Sequence, residues 1–357
     1  MRLHLLSPGF ASPNGRAFLF PLIRWRRALC DAGIEWRLFD TVTAALTDCD
    51  ILGIDSRYYS PRWQNETPAV LDELASLKQK AVRLAWFDTT DSTGIDQFLP
   101  LRIADIWVKN QLATDRTQYR RPIYAGGRIW CDYYHRHQGV EDTEPLWSVP
   151  PATPEDLDKL RVGWNSGLAD YSLMGPFRMA AYHHLKWPAL LDFPGQAVSP
   201  DRPRDNAVSA RFGTSYVRAS VAWQRRQMAA KLADRMPTEK LGRLGYLREL
   251  DRSKLVLSPF GLGEITLKDF EVFRAGALLV KPDMSHLETW PNLFRDGQTM
   301  VSHGWTLDDL PELLEQLLSD PERCRAMAEA GQAVYLRHTK SREAPALFAE
   351  HFLDVVK

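Results

Sequence analysis

The chain has 357 residues, with 45 Lys and Arg against 45 Asp and Glu, so its formal net charge at pH 7 is zero. At roughly 100–200 residues per domain this length accommodates two domains, and a hydrophobic fraction of 45% with 25% charged residues excludes extended disorder. Balanced charge supplies no global field for polyanions, so nucleic acid is not expected as a partner, and membrane association is expected to be peripheral at most.

The four cysteines, Cys30, Cys49, Cys131 and Cys324, show no CxxC spacing. That argues against a zinc site or a disulfide framework and fits a reducing compartment. The opening MRLHLLSPGF is too short an apolar run for a signal peptide, and no stretch approaches the roughly 20 apolar residues that span a bilayer. A cytoplasmic location is the expectation.

Strand-like and helix-like segments alternate along the first half. Residues 3–7 form a short apolar run ending in a Pro/Gly loop, and 17–31 carry apolar residues at helical spacing up to Gly33, a C-cap residue. Residues 34–39, 49–54, 82–87 and 106–109 read as strands, with a helix over 68–80. This rhythm implies a parallel sheet covered by helices on both faces. Residues 139–155 turn polar and proline-rich (Pro145, Pro150, Pro151, Pro154) and form the linker candidate. Alternation then restarts, with strands over 161–164, 207–212, 254–257 and 277–281. Helices are expected over 215–234, 264–275, 307–318 and 321–335, the last opened by Asp320-Pro321 as N-cap and N1. The expected fold class is α/β, with two Rossmann-like doubly wound domains facing a cleft. Residues 1–150 and 151–340 are the two expected domains, and a helix within 341–357 is expected to pack back on the first. In open α/β sheets ligands bind outside the carboxyl ends of the strands, so the loops there hold the candidate residues.

The segment 253–288 is the most informative. A strand runs into Pro259-Phe260-Gly261-Leu262-Gly263 and then a helix. Backbone N–H groups at a helix N-terminus suit a diphosphate, and Gly261 and Gly263 would let it approach the backbone. The same join also occurs for packing alone. Glu264 and Glu271 are seven apart, two turns of a continuous helix, and a carboxylate accepts two hydrogen bonds from a vicinal diol. With Lys268 and Asp269 they could equally form a solvated face, but Phe270, Val272 and Phe273 give Glu271 apolar neighbours, where a carboxylate needs a partner.

The run SPFGLGE…KDFEVFRAGALLVKP resembles the donor-nucleotide region of GT-B glycosyltransferases, and HLETW, DPERCRAMAEAG and RHTKSR resemble the C-terminal half of the bacterial group-1 and spore-maturation-type members. The resemblance implies a glycosyltransferase of the hexosyl or deoxyhexosyl class, with a nucleotide-diphosphate sugar as co-substrate and no other cofactor or metal. A glycan or lipid-linked acceptor of the cell envelope is the matching partner. It makes Glu271 the ribose-binding acid and sets Glu264 near the first acid of the family's paired-Glu motif. Six residues separate the two here against seven in that motif, which leaves inversion and retention both open. Ser285, His286 and Glu288 fall on the loop beside the donor.

Cations must stabilise the leaving phosphate. Arg211 ends a predicted strand, Arg218, Arg225 and Arg226 lie on the next helix, and Asn165 sits on a further loop. The base for the acceptor hydroxyl is sought at the end of strand 82–87, with Asp88 first and Asp91 second, although either can cap a helix. Two aromatic groups, Trp130, Tyr133, Tyr134 with His135, and Tyr58, Tyr59 with Trp63, read either as sugar platforms or as packing. A sugar-nucleotide epimerase and a non-catalytic binding protein of the same fold are the competing readings.

Overall fold

In the computed structural model, residues 1–94, 98–143, 150–192 and 196–357 are described. Pro145 of the expected linker lies outside them. The strands are β1 (Arg2–Leu6), β2 (Glu35–Phe39), β3 (Ile51–Asp55), β4 (Arg83–Asp88), β5 (Ile106–Lys109), β6 (Gln111–Ala113), β7 (Leu160–Val162), β8 (Asn206–Ser209), β9 (Ser253–Leu257), β10 (Leu278–Pro282), β11 (Leu287–Thr289) and β12 (Val301–His303).

Two parallel sheets result, ordered β2-β1-β3-β4-β5-β7 and β12-β10-β9-β8. Their central strands are near-continuous apolar runs: every residue of β3 and β10 is buried, because helices cover both faces. The α/β class with two Rossmann-like units facing a cleft holds.

Several elements differ from expectation, among them the helix expected over 68–80, which starts at Ser56. The strand near residue 161 was expected to open the second domain, yet β7 pairs with β5 (Val108↔Arg161) and completes the first sheet. Strand rhythm identifies a strand but not the sheet edge it joins. The helix expected over 17–31 is two, Pro13–Arg24 and Arg26–Asp31, broken at Trp25. The helix expected from residue 264 begins at Leu267, because Thr266 and Asp269 form a reciprocal capping box there. It ends at Gly276, whose φ of +64° and whose Cβ position 2.4 Å from the Val198 carbonyl both require glycine.

The halves are joined in three places. β6 and β11 pair antiparallel, one strand from each half (Leu112↔Glu288). The helix Ala344–Val356 returns to the first half, where Phe348 packs 5.3 Å from both the Trp25 and Trp164 rings. One hydrophobic core also runs continuously from Phe18, Phe87 and Trp164 to Phe270, Phe273 and Tyr335. Both aromatic groups considered for sugar stacking are largely consumed here: Trp130 and Tyr134 pack on Phe260 and Trp223, and Tyr59 on Trp86.

Candidate functional site

The carboxyl ends of β4, β5, β7 and β9 open on a common cleft. It holds a cavity of about 400 Å³ whose walls are mostly apolar: Phe18, Phe87, Val108, Trp164, Ile265 and Leu267 among them. Trp164 stacks on Phe18 (5.2 Å, 6°) and spends its indole N–H on the Phe18 carbonyl, so this wall presents carbon. Polar lining comes from both halves, including Asn14, Asp88, Asp91 and Asn110 of the first and Arg225 and Thr266 of the second. Asn14 donates to an Asp91 carboxylate oxygen (2.5 Å) and to the Thr89 carbonyl (2.9 Å), and the buried Asn110 Oδ1 accepts no hydrogen bond.

Asp88 and Asp91 therefore part company. The Asp88 side chain is fully buried, accepts from the Thr90 N–H and pairs with the equally buried Lys109 Nζ at 2.9 Å. Removing one partner of such a pair costs about 3–5 kcal/mol, so Asp88, which also lines the cavity, has a structural role in this ion pair. Asp91, half-buried at the cavity wall and oriented by Asn14, is the carboxylate open to a ligand.

The turn 261–264 crosses to the first half. Gly261 and Gly263 line the cavity, but a Cβ on Gly263 would lie 1.6 Å from the Asp91 carbonyl oxygen. Backbone of the other half, rather than a phosphate, needs that glycine. Glu264 precedes the helix and shares no face with Glu271. Its carboxylate is fully buried and accepts from the Thr93 N–H and from Gln111 Nε2, both at 3.0 Å. His286 Nε2 stands 3.6 Å from the other oxygen, with its ring edge-on to Trp305 at 4.9 Å. Burial raises the Glu264 pKa, but His286 and the Thr93 contacts outweigh it and leave the group below the ordinary carboxylate value.

A second cavity, about 270 Å³, shares Arg225 and Thr266 with the first and is also lined by Arg211, Lys240, Tyr246, Ser258, Lys268 and Glu271. Arg243 holds Glu271 Oε1, and the buried Tyr246 hydroxyl lies beside the Glu271 carboxylate, which adds to burial in raising the pKa of that hydroxyl. Lys268 donates to the Arg211 and Leu257 carbonyls, and desolvation, together with Arg225, lowers its pKa to about 7. Arg225 donates to the Phe260 (2.6 Å) and Gly213 (3.1 Å) carbonyls and lies over the Tyr216 ring, with no carboxylate partner among the described residues. It joins the two cavities.

Other expected residues stand elsewhere. Arg211 reaches the second cavity, but its charge is committed to Glu249 through a two-pronged contact at 3.0 Å. Arg218 caps the helix Ala219–Leu232 and lines neither cavity. Asn165 is fully buried, bonded to Thr289, to the Pro291 carbonyl and to the Gly167 N–H, and fastens the two halves. Ser285 bonds Asp283, and Glu288 pairs with Arg116 across the β6–β11 ribbon (2.7 Å), which puts both in the inter-half seam. Asn14, Asn110 and Tyr246 escaped the sequence reading. A Ser12 cap with Pro13 at N1 announced a helix start that would have brought Asn14 to the mouth of the first sheet. Among the described residues no group of three or more His, Cys, Asp or Glu side chains is placed to hold a metal ion.

Residues 207–349 match the family model described as glycosyl transferase-like, so the resemblance found in the second half stands. No curated protein matches the sequence. The chain path is similar to that of a glycosyltransferase from Rickettsia africae ESF-5 (9% identity, TM-score 0.46, covering 100% of this chain and 98% of that one). It is also similar to Anabaena HepE in complex with UDP (10%, 0.45, 99% of each chain) and to an alpha-glucosyltransferase in complex with UDP-glucose and DNA containing an abasic site (12%, 0.43, 100% of each). At these values no property of those proteins passes to this chain. They do correct one expectation: the alpha-glucosyltransferase also occurs with DNA carrying an A:G mismatch, so nucleic acid is no longer ruled out as a partner. A balanced net charge is a whole-chain sum and says nothing about a local groove.

The Glu264 contacts carry a sign. An unfolded Glu titrates near pH ~4.3 and the native group titrates lower, so its contribution is complete above that pH and is lost as pH falls through the native value. The stability difference between wild type and Glu264→Gln, from urea unfolding, should stay constant from neutral pH to about 5 and shrink toward about 3. A difference independent of pH would show that the buried carboxylate is not ionised.

Proposed function

We propose that the chain is a glycosyltransferase that moves a sugar from a nucleotide-diphosphate donor to a hydroxyl acceptor. One observation carries this reading: two cavities share Arg225 and Thr266, one lined by the Glu271 carboxylate and the other by that of Asp91. Glu271 and the Tyr246 hydroxyl beside it, both lining the second cavity, take the ribose and base side of the donor. The diphosphate lies toward Arg225 and Lys268, near the N-terminal end of the helix Leu267–Ala275, whose dipole favours negative charge.

The sugar then projects into the larger cavity beside Asp91. There Asp91 accepts the proton of the acceptor hydroxyl while that oxygen attacks the anomeric carbon. The bond from that carbon to the diphosphate oxygen breaks, and the leaving phosphate takes the electron pair, its charge met by Arg225 and Lys268. Because the cavity walls are largely apolar, the reading favours an acceptor with an apolar body, such as a lipid-linked glycan. The scattered free cysteines suit a cytoplasmic setting.

Thermal unfolding with UDP, GDP, ADP, CMP and dTDP tests the donor half, since a ligand of the native state raises stability by mass action. At least one nucleotide should raise the midpoint, and Glu271→Ala should abolish the rise. No response to any of the five would remove the donor-site reading. For the acceptor half, Asp91→Asn should lower kcat by roughly 100-fold or more and leave the nucleotide response intact. Unaltered turnover in that variant would remove Asp91 from the chemistry.

A further inference from the structure

Outside the cleft, the helix Gly175–Leu185 shows an unusual division of faces. Gly175, Met179 and Tyr182, on one side, pack inward. The opposite side exposes Met174, Phe177 and Leu185, and the chain just beyond exposes Trp187; Phe177 and Trp187 each remain 67% accessible. Positions 174, 177, 181 and 185 recur at helical spacing, so these apolar groups share one stripe. A contiguous exposed set of this kind marks an interaction surface rather than ordinary scatter.

Charge identifies what covers it. Between Asp170, which is buried, and Asp192 the chain carries no acidic residue, while Arg178 and Lys186 lie beside the stripe. Arg16 lies close enough to His183, and Arg26 to Tyr182, to act on them electrostatically. An apolar stripe bordered by the cations Arg178 and Lys186 complements a surface with an apolar interior and an anionic boundary.

Position gives this surface a use. His183 stands 3.9 Å from the Cβ position of Gly9, and Tyr182 packs on Phe10 at 5.1 Å. Pro13 and Asn14, a few residues on, already line the apolar 400 Å³ cavity. We infer that the face built from Met174, Phe177, Leu185 and Trp187 docks on an anionic lipid bilayer, setting the acceptor side of the cleft against the membrane surface. Among the described residues no helix is long and apolar enough to cross a membrane, so the contact is peripheral.

The test is co-sedimentation of the full chain with vesicles of phosphatidylcholine alone or mixed with phosphatidylglycerol. Binding should require phosphatidylglycerol and weaken as salt rises, because the cation contribution is screened. A Phe177→Ser, Leu185→Ser, Trp187→Ser variant should lose at least ten-fold in vesicle partitioning, and Arg178→Gln with Lys186→Gln should lose the preference for anionic lipid. The altered groups are exposed, and an unchanged nucleotide-induced thermal shift in both variants checks that the donor cavity is intact. Two outcomes overturn the inference: wild type remaining in the supernatant with anionic vesicles, or a concentration-dependent dimer dispersed by the triple substitution. The second would make another copy of this chain the occupant. Neither outcome bears on the glycosyltransferase reading, whose own test is nucleotide binding.

Discussion

One carboxylate sits at the mechanical centre of the molecule. Glu264 leaves the second half of the chain and is buried against the Thr93 N–H and the Gln111 amide of the first. A charge in that setting is costly unless it is compensated; hydrogen bonds from the first half meet Oε2, and His286 Nε2 stands 3.6 Å from Oε1. The contact brings the turn 261–263 against the Asp91 backbone, where only glycine fits. With the turn in that place, Arg225 and Thr266 border both cavities. The geometry of the cleft is thus a consequence of how the interface satisfies its polar groups, and β6–β11 and the returning C-terminal helix hold the same arrangement from two other sides.

The same logic separates structural charge from chemical charge. Lys109 with Asp88, Lys281 with Asp269 and Arg211 with Glu249 are all paired at 2.9–3.1 Å, and each ties adjoining elements together. What remains for a ligand is a short set: Asp91 held by Asn14, Arg225 held by carbonyls, a partly desolvated Lys268, the neighbouring Glu271 and Tyr246, and the unfilled Asn110 Oδ1. Atoms whose hydrogen-bonding capacity is unfilled inside a protein cost free energy unless something completes them. The groups of this set line two adjoining cavities.

Much of the fold was legible because buried parallel strands are written as apolar runs between turn residues. β3, β4 and β10 read plainly, and so did the helix opened by Asp320-Pro321. Strand membership was not legible: β7 is three residues long, and nothing local says which sheet edge it joins. Among site residues, Glu271 was identifiable from its apolar neighbours, and it does line a cavity. Glu264 was misplaced because an uninterrupted helix was assumed, although Thr266 and Asp269 at cap spacing marked the true start. Asp88 and Asp91, three residues apart, look alike in sequence; only the distant Lys109 and Asn14 tell them apart. Contacts of that range are properties of the folded chain.

The most direct measurement is amide hydrogen exchange, by mass spectrometry, with and without the nucleoside diphosphate that stabilises the protein. If the nucleotide occupies the cavity of Glu271, Tyr246 and Lys268, exchange should slow across residues 211–216, 240–247 and 258–271 and stay unchanged across 173–187. Slowed exchange confined to other segments, with those three unaffected, would contradict the account.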